Sequence, residues 1–120
     1  MNGKERVLLI EDDEPTVRFM RLTLKRKGYD VEVASNRQDA LDALSRQKPT
    51  LVIMDYVMSG LPSPEFIEGA RGLGFQGPIL LCTAMHQDYG LAVEDVLYKP
   101  FDPDELLKRL DTLVSSRRAS

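Results

Sequence analysis

The stretch Leu51-Val52-Ile53-Met54-Asp55 decides how this chain is read. Four apolar residues in succession read as a strand buried on both faces, and the run ends abruptly in a carboxylate. Pro49 steers Lys48 away from helical geometry and marks the boundary before the strand. Beyond Asp55, Tyr56-Val57-Met58 leads into Ser59-Gly60-Leu61-Pro62, a loop signal. Asp55 therefore stands where a parallel strand gives way to its loop. In open α/β sheets ligands bind at that edge, outside the carboxyl ends of the strands. An aspartate there is equally suited to capping the loop that follows, so the residue alone decides nothing.

The neighbouring segments repeat the pattern. Arg6-Val7-Leu8-Leu9-Ile10 is a second buried strand, and it runs into Glu11-Asp12-Asp13-Glu14. Pro15 fits just inside a helix start, with acids at the positive end of its dipole. Val17, Met20 and Leu24 recur at helical spacing, and Gly28 closes that helix. Asp30 to Ala34 alternates as a half-exposed strand, and Ser35 or Asn36 can cap a helix carrying Ala40, Leu41 and Leu44. After the loop beyond Asp55, Glu65 to Leu73 predicts a helix that ends among Gly72, Gly74 and Gly77. Pro78 to Cys82 predicts a fourth buried strand leading into Thr83-Ala84, and Asp95 to Tyr98 a short fifth one leading into Lys99-Pro100. Asp102 or Pro103 opens a last helix with Leu106, Leu107, Leu110 and Leu113 on its apolar side. Strands alternating with helices imply α/β architecture, a parallel sheet covered on both faces through right-handed crossovers. Between Thr83 and Lys99 the rhythm falters: there is room for a short helix at most, around Asp88 to Val93, and Gly90 weakens it.

Composition bounds the function. A chain of 120 residues with 42 % hydrophobic content builds one domain with its own core, ordered from about 5 to 115, with Ser116 to Ser120 expected as a polar tail or the start of a linker. The net charge of -3 leaves no electrostatic footprint for direct nucleic-acid binding. No apolar run is long enough to span a bilayer, and Met1 to Arg6 lacks a signal-peptide core, so a cytoplasmic location is expected. The single cysteine, Cys82, lies inside an apolar strand and reads as a packing residue; the single histidine, His86, rules out a His-pair metal site.

Polar groups at the strand ends carry the chemistry. In a parallel sheet Asp12 and Asp13, Asp55, Thr83 and Lys99 gather along one rim. Three carboxylates held together raise one another's pKa unless a cation is present. A hard divalent ion relieves that repulsion, and Mg²⁺ (or Mn²⁺) suits carboxylates, waters and a phosphate oxygen. A lysine and a hydroxyl add donors for an anion, so the set describes a phosphoryl site with a carboxylate as potential acceptor. Each residue also has an ordinary reading: Asp12 and Asp13 as helix caps, Thr83 as a partner for a loop amide, Lys99 as a solvated loop cation.

These residues as a set resemble the signature of the response-regulator receiver domain of two-component signalling. Leu8-Leu9-Ile10-Glu11-Asp12-Asp13-Glu14-Pro15, Asp55, Thr83-Ala84 and Lys99-Pro100-Phe101 carry the resemblance, which covers nearly the whole chain. It implies a doubly wound five-stranded sheet of flavodoxin-like order 2-1-3-4-5. It implies that Asp55 is the phosphoacceptor, taking its group from a histidine kinase or phosphotransfer domain and switching a protein-interaction surface. Asp12, Asp13, Asp55 and the backbone carbonyl of Val57 would bind the metal, and Thr83 and Lys99 would contact the phosphoryl oxygens. Such a domain catalyses its own phosphorylation and dephosphorylation without turning over a conventional substrate. The downstream protein target is not specified, and a homodimer is compatible with the family.

The chain also departs from the family pattern. The usual switch aromatic, three residues before the lysine, is Val96 here; Tyr98 lies on the same face by alternation and is the candidate substitute. Thr83 to Lys99 is about six residues shorter than usual, roughly a turn and a half of helix, so the helix after the fourth strand is expected to be short or missing. Ser59 stands where proline is usual, and Ser63-Pro64 where glycine is more common. Val57 and Met85, two residues beyond Asp55 and Thr83, are both apolar and cannot orient an attacking water, which predicts slow self-dephosphorylation. Three other functions remain open at this level. A metal-dependent phosphatase with an Asp nucleophile would want a second acid where Val57 stands. A degenerate receiver would be a phosphorylation-independent binding module. A flavodoxin-like cofactor carrier would face an acidic first loop that repels a flavin phosphate.

Overall fold

Apolar strands flanked by amphipathic helices satisfy their backbone only by pairing, and five of them do so in one sheet. The computed structural model describes residues 5–56, 58, 62–84 and 90–119. In chain order these form β1 (Arg6–Ile10), α1 (Glu14–Arg26), β2 (Asp30–Ala34), α2 (Arg37–Arg46) and β3 (Leu51–Asp55), then α3 (Ser63–Gly72), β4 (Ile79–Thr83), β5 (Asp95–Tyr98) and α4 (Pro103–Ala119). The sheet order is β2-β1-β3-β4-β5, every neighbouring pair is parallel, and the expected doubly wound architecture is present.

Alternation along the strands divides the core into two layers. Val7, Leu9, Leu51, Ile53, Leu80, Cys82 and Leu97 meet Met20 and Leu24 of α1 and Leu106, Leu110 and Leu113 of α4 on one face. Leu8, Ile10, Val52, Met54, Ile79 and Leu81 meet Ala40, Ala43 and Leu44 of α2 and Phe66, Ile67 and Ala70 of α3 on the other. β1, β3 and β4 are the inner strands, which is why their sequences read as unbroken apolar runs. At the edge strand β2, Asp30 and Glu32 pair with Arg6 and Arg46 at 3.1 and 3.3 Å, charges that discourage a further strand from adding there.

The structure shifts several boundaries. α3 starts at Ser63, two residues before the predicted Glu65, because Pro64 fits the first turn. The backbone of α4 stays helical through Ala119, past Ser115, where the sequence predicts a frayed tail. Among the described residues no helix lies between β4 and β5, and the helix expected over Asp88 to Val93 does not extend into residues 90–93; residues 85–89 lie outside the described part. Instead the approach to β5 clings to the sheet. Glu94 donates its amide to the Ile79 carbonyl at 3.1 Å, and its carboxylate accepts the Ile79 amide at 2.8 Å and faces Arg71 at 3.4 Å. Half-buried Leu91, Val93 and Val96 cover the α2–α3 face there.

Gly77 joins α3 to β4 where a side chain cannot fit: a Cβ would lie 2.6 Å from the Thr50 carbonyl oxygen and 2.8 Å from the buried Phe75 ring. Gly77→Ala is therefore expected to lower unfolding stability by about 1–3 kcal/mol in urea titrations. Gly72→Ala, with open space around its Cβ, is expected to leave stability equal or raised.

Candidate functional site

Strand register and parity decide which side chains meet at the rim. Ile10 is level with Met54, and Asp55 with Cys82, so the residue after Ile10 comes alongside Asp55. That residue is Glu11, still bound to the sheet by its amide, which donates to the Ala34 carbonyl at 3.1 Å. Glu11 continues the parity of Val7 and Leu9, Asp55 that of Leu51 and Ile53, and Lys99 that of Leu97, so all three emerge on the α1–α4 side. Thr83 carries the opposite parity, that of Ile79 and Leu81, and is fully buried. Its carbonyl accepts the Lys99 amide at 2.7 Å, so the ends of β4 and β5 are tied together beside the site.

One oxygen each from Glu11, Asp12 and Asp55 fall within 4.8 Å of one another, a set that could hold a cation. Lys99 Nζ lies 3.2 Å from Glu11 Oε1 and 3.5 Å from Asp55 Oδ1, bridging the two buried carboxylates. Burial first, and Asp55 second, raise the Glu11 pKa above the ordinary glutamate value, while Lys99 and the Asp13 amide work against them. Burial alone would drag the Lys99 pKa down, but Asp55 and Glu11 outweigh it and hold it above the ordinary lysine value. The ammonium is thus a fixed positive charge at neutral pH.

Asp12 and Asp55 stand together as the sequence predicts; Asp13 does not join them. Its backbone is extended (φ -84°, ψ 112°), and it caps α1, accepting the Thr16 amide at 3.1 Å together with the Thr16 hydroxyl. Those bonds, hydroxyl first, hold its carboxyl below the usual aspartate range. Glu11 takes the third carboxylate position. Sequence reading missed it because the acidic run was assigned to the loop as a block. Carrying the alternation of Val7 and Leu9 one residue further would have found it. Val57 and Met85 lie outside the described residues. Val96 and Tyr98 are both half-buried, and Val96 packs against the α2–α3 layer.

Arg37 is a second residue that pattern reading passed over. It is the first residue of α2, behind an Asn36 cap whose side chain accepts the Asp39 amide at 2.8 Å. Although charged, it is only 2 % exposed. One of its terminal nitrogens donates to the carbonyls of Asp55 at 3.1 Å and Tyr56 at 2.7 Å, gripping the main chain as it leaves β3. The available signal was a cation at the positive end of a helix dipole, where it is locally unfavourable.

Comparison with known proteins gives the family and the fold. Residues 7–111 match the family model described as "Response regulator receiver domain". The chain is 31 % identical over 121 residues to the transcriptional regulatory protein PcoR of Escherichia coli, covering 96 % of this chain and 54 % of that protein. It is 34 % identical over 115 residues to the response regulator MprA of Mycolicibacterium vanbaalenii, covering 91 % of this chain and 50 % of that protein. The chain therefore spans about half the length of these curated relatives. Among solved structures, the chemotaxis protein CheY4 of Vibrio cholerae superposes with a TM-score of 0.84 at 27 % identity, covering 92 % of this chain and 99 % of that one. The BeF3-activated receiver domain of Klebsiella pneumoniae RstA does so at 0.82 and 27 %, covering 92 % and 98 %.

The capping role of Asp13 has a direct readout. Asp13→Ala is expected to speed hydrogen exchange at the Thr16 amide and lower the thermal midpoint, while Asp13→Ser, which keeps a cap acceptor, leaves both near native.

Proposed function

The chain belongs to the response-regulator receiver domain family of two-component signalling, and from that premise we propose that Asp55 accepts a phosphoryl group from a histidine kinase or phosphotransfer domain. The observation that carries this reading is the position of Asp55. It closes a central strand, with carboxylate oxygens of Glu11 and Asp12 within 4.8 Å and the Lys99 ammonium at 3.5 Å. A carboxylate oxygen of Asp55 attacks phosphorus as the bond to the donor's histidine nitrogen breaks, and that nitrogen keeps the electron pair. The reaction needs positioning and charge neutralisation more than covalent assistance. Lys99 meets the developing oxygen charge, and Thr83, whose carbonyl is tied to the Lys99 amide, is the family's hydroxyl donor to the transferred group, which it reaches only if its buried side chain turns toward the rim.

The donor set suits Mg²⁺ or Mn²⁺, since it consists of hard carboxylate oxygens with no nitrogen or sulfur among them. Glu11, Asp12 and Asp55 would hold the ion, with the Val57 carbonyl as the family's further ligand and Asp13 left to its helix. When bound, such an ion supplies Lewis-acid charge to the phosphoryl oxygens. The phosphorylated state then alters a protein-binding surface that a downstream protein reads. Among the described residues no helix is long and apolar enough to cross a membrane, which accords with a cytoplasmic site of action.

Incubation with acetyl phosphate and Mg²⁺, read by intact mass, tests the chemistry. The native protein is expected to gain one phosphoryl group that Asp55→Ala does not, and chelation of the metal abolishes the gain. An unlabelled native protein would instead favour a phosphorylation-independent binding module. The apolar Val57 and Met85 lead to a second expectation: the phosphorylated form decays slowly, and Val57→Asn shortens its half-life. A native half-life of seconds that Val57→Asn leaves unchanged would remove that idea.

A further inference from the structure

A buried arginine at the first position of a helix breaks two local rules at once. Its charge opposes the helix dipole, and its burial strips the guanidinium of water. Something at that spot must compensate, and the compensation is specific. The Asp55 and Tyr56 carbonyls accept from one guanidinium nitrogen at 3.1 and 2.7 Å. The charge also sits in the field of Asp55 and Asp12, which resist the downward pull of burial on its pKa. Arg37 thus reaches the rim from the α2 side, while Lys99 reaches it from the end of β5. Lys99 lies 3.2 and 3.5 Å from the Glu11 and Asp55 carboxylates, while the Arg37 guanidinium grips the main chain that carries Asp55.

We propose that Arg37 is a positioning residue and resident counter-cation of the acidic rim: it fixes the main chain leaving Asp55 and offsets the carboxylate repulsion when no divalent ion is bound. Because its charge has the same sign as the ion's, it also weakens divalent binding. The site is thereby kept intact without metal, and its affinity for metal is lower than its carboxylates alone would confer. The metal part of this inference rests on the function proposed above; the charge-balancing part does not.

Two measurements separate them. In metal-free buffer with chelator, thermal unfolding is compared for the native chain, Arg37→Gln, Asp12→Asn and the double variant, which closes a double-mutant cycle. Arg37→Gln is expected to melt several degrees lower, and Asp12→Asn to restore part of that loss only in the Arg37→Gln background. Arg37→Lys, which keeps the charge but not the planar fork, is expected to lie between Arg37→Gln and native. Calorimetric titration with Mg²⁺ is expected to show several-fold tighter binding to Arg37→Gln than to the native chain, and near-native binding to Arg37→Lys. Strictly additive melting shifts would overturn the proposal, leaving Arg37 as a clamp on the main chain beyond β3. Equal or weaker Mg²⁺ binding by Arg37→Gln would overturn it as well. A native chain that binds no Mg²⁺ would sink the metal-site reading, and the cycle run in chelator would still decide the role of Arg37.

Discussion

Negative charges crowded at the end of a parallel sheet repel one another, and the fold holds them there only because cations arrive from other segments. Asp55 ends β3 and Glu11 directly follows the adjacent β1, and Lys99 comes from the segment after the edge strand to lie 3.5 and 3.2 Å from them. The pairing spans 88 residues of sequence between Glu11 and Lys99, so it forms only once all the intervening strands are in register. Its cost is the burial of two carboxylates. Its return is that Asp55, the proposed acceptor, is held in place and partly shielded before any donor arrives, which is what phosphoryl transfer asks of a protein.

The architecture was largely legible because each layer rests on a short-range pattern. β1, β3 and β4 are continuous apolar runs; β2 alternates; α1 and α4 carry their leucines and methionine at helical spacing. Where the reading failed, the deciding information was not local. Asp13 and Glu11 are neighbours in one acidic run, and composition cannot assign one to a helix cap and the other to the rim. Only the extension of β1 through the Glu11–Ala34 hydrogen bond separates them. The connection before β5 was legible as too short for a full helix, and its described residues, 90–94, run without one, with Leu91 and Val93 packed against the α2–α3 layer.

Arg37 illustrates a different limit. Side-chain burial depends on what the rest of the chain brings near, and no window around Asn36-Arg37-Gln38 contains Asp55 or Tyr56. What the window does contain is a conflict, a cation set against the positive end of a dipole. Conflicts of that kind mark the positions where tertiary context has overruled local preference.

The sheet-bound approach to β5 carries a consequence for how this molecule loosens. A free-standing helix between β4 and β5 could detach as its own unit, leaving the strands untouched. Leu91 to Glu94 cannot be lifted without severing both Glu94 bonds to Ile79 and its ion pair with Arg71, and Arg71 in turn holds the Phe75 and Gly77 carbonyls. Partial unfolding on this flank therefore takes the start of β4 and the end of α3 with it, as one cooperative block.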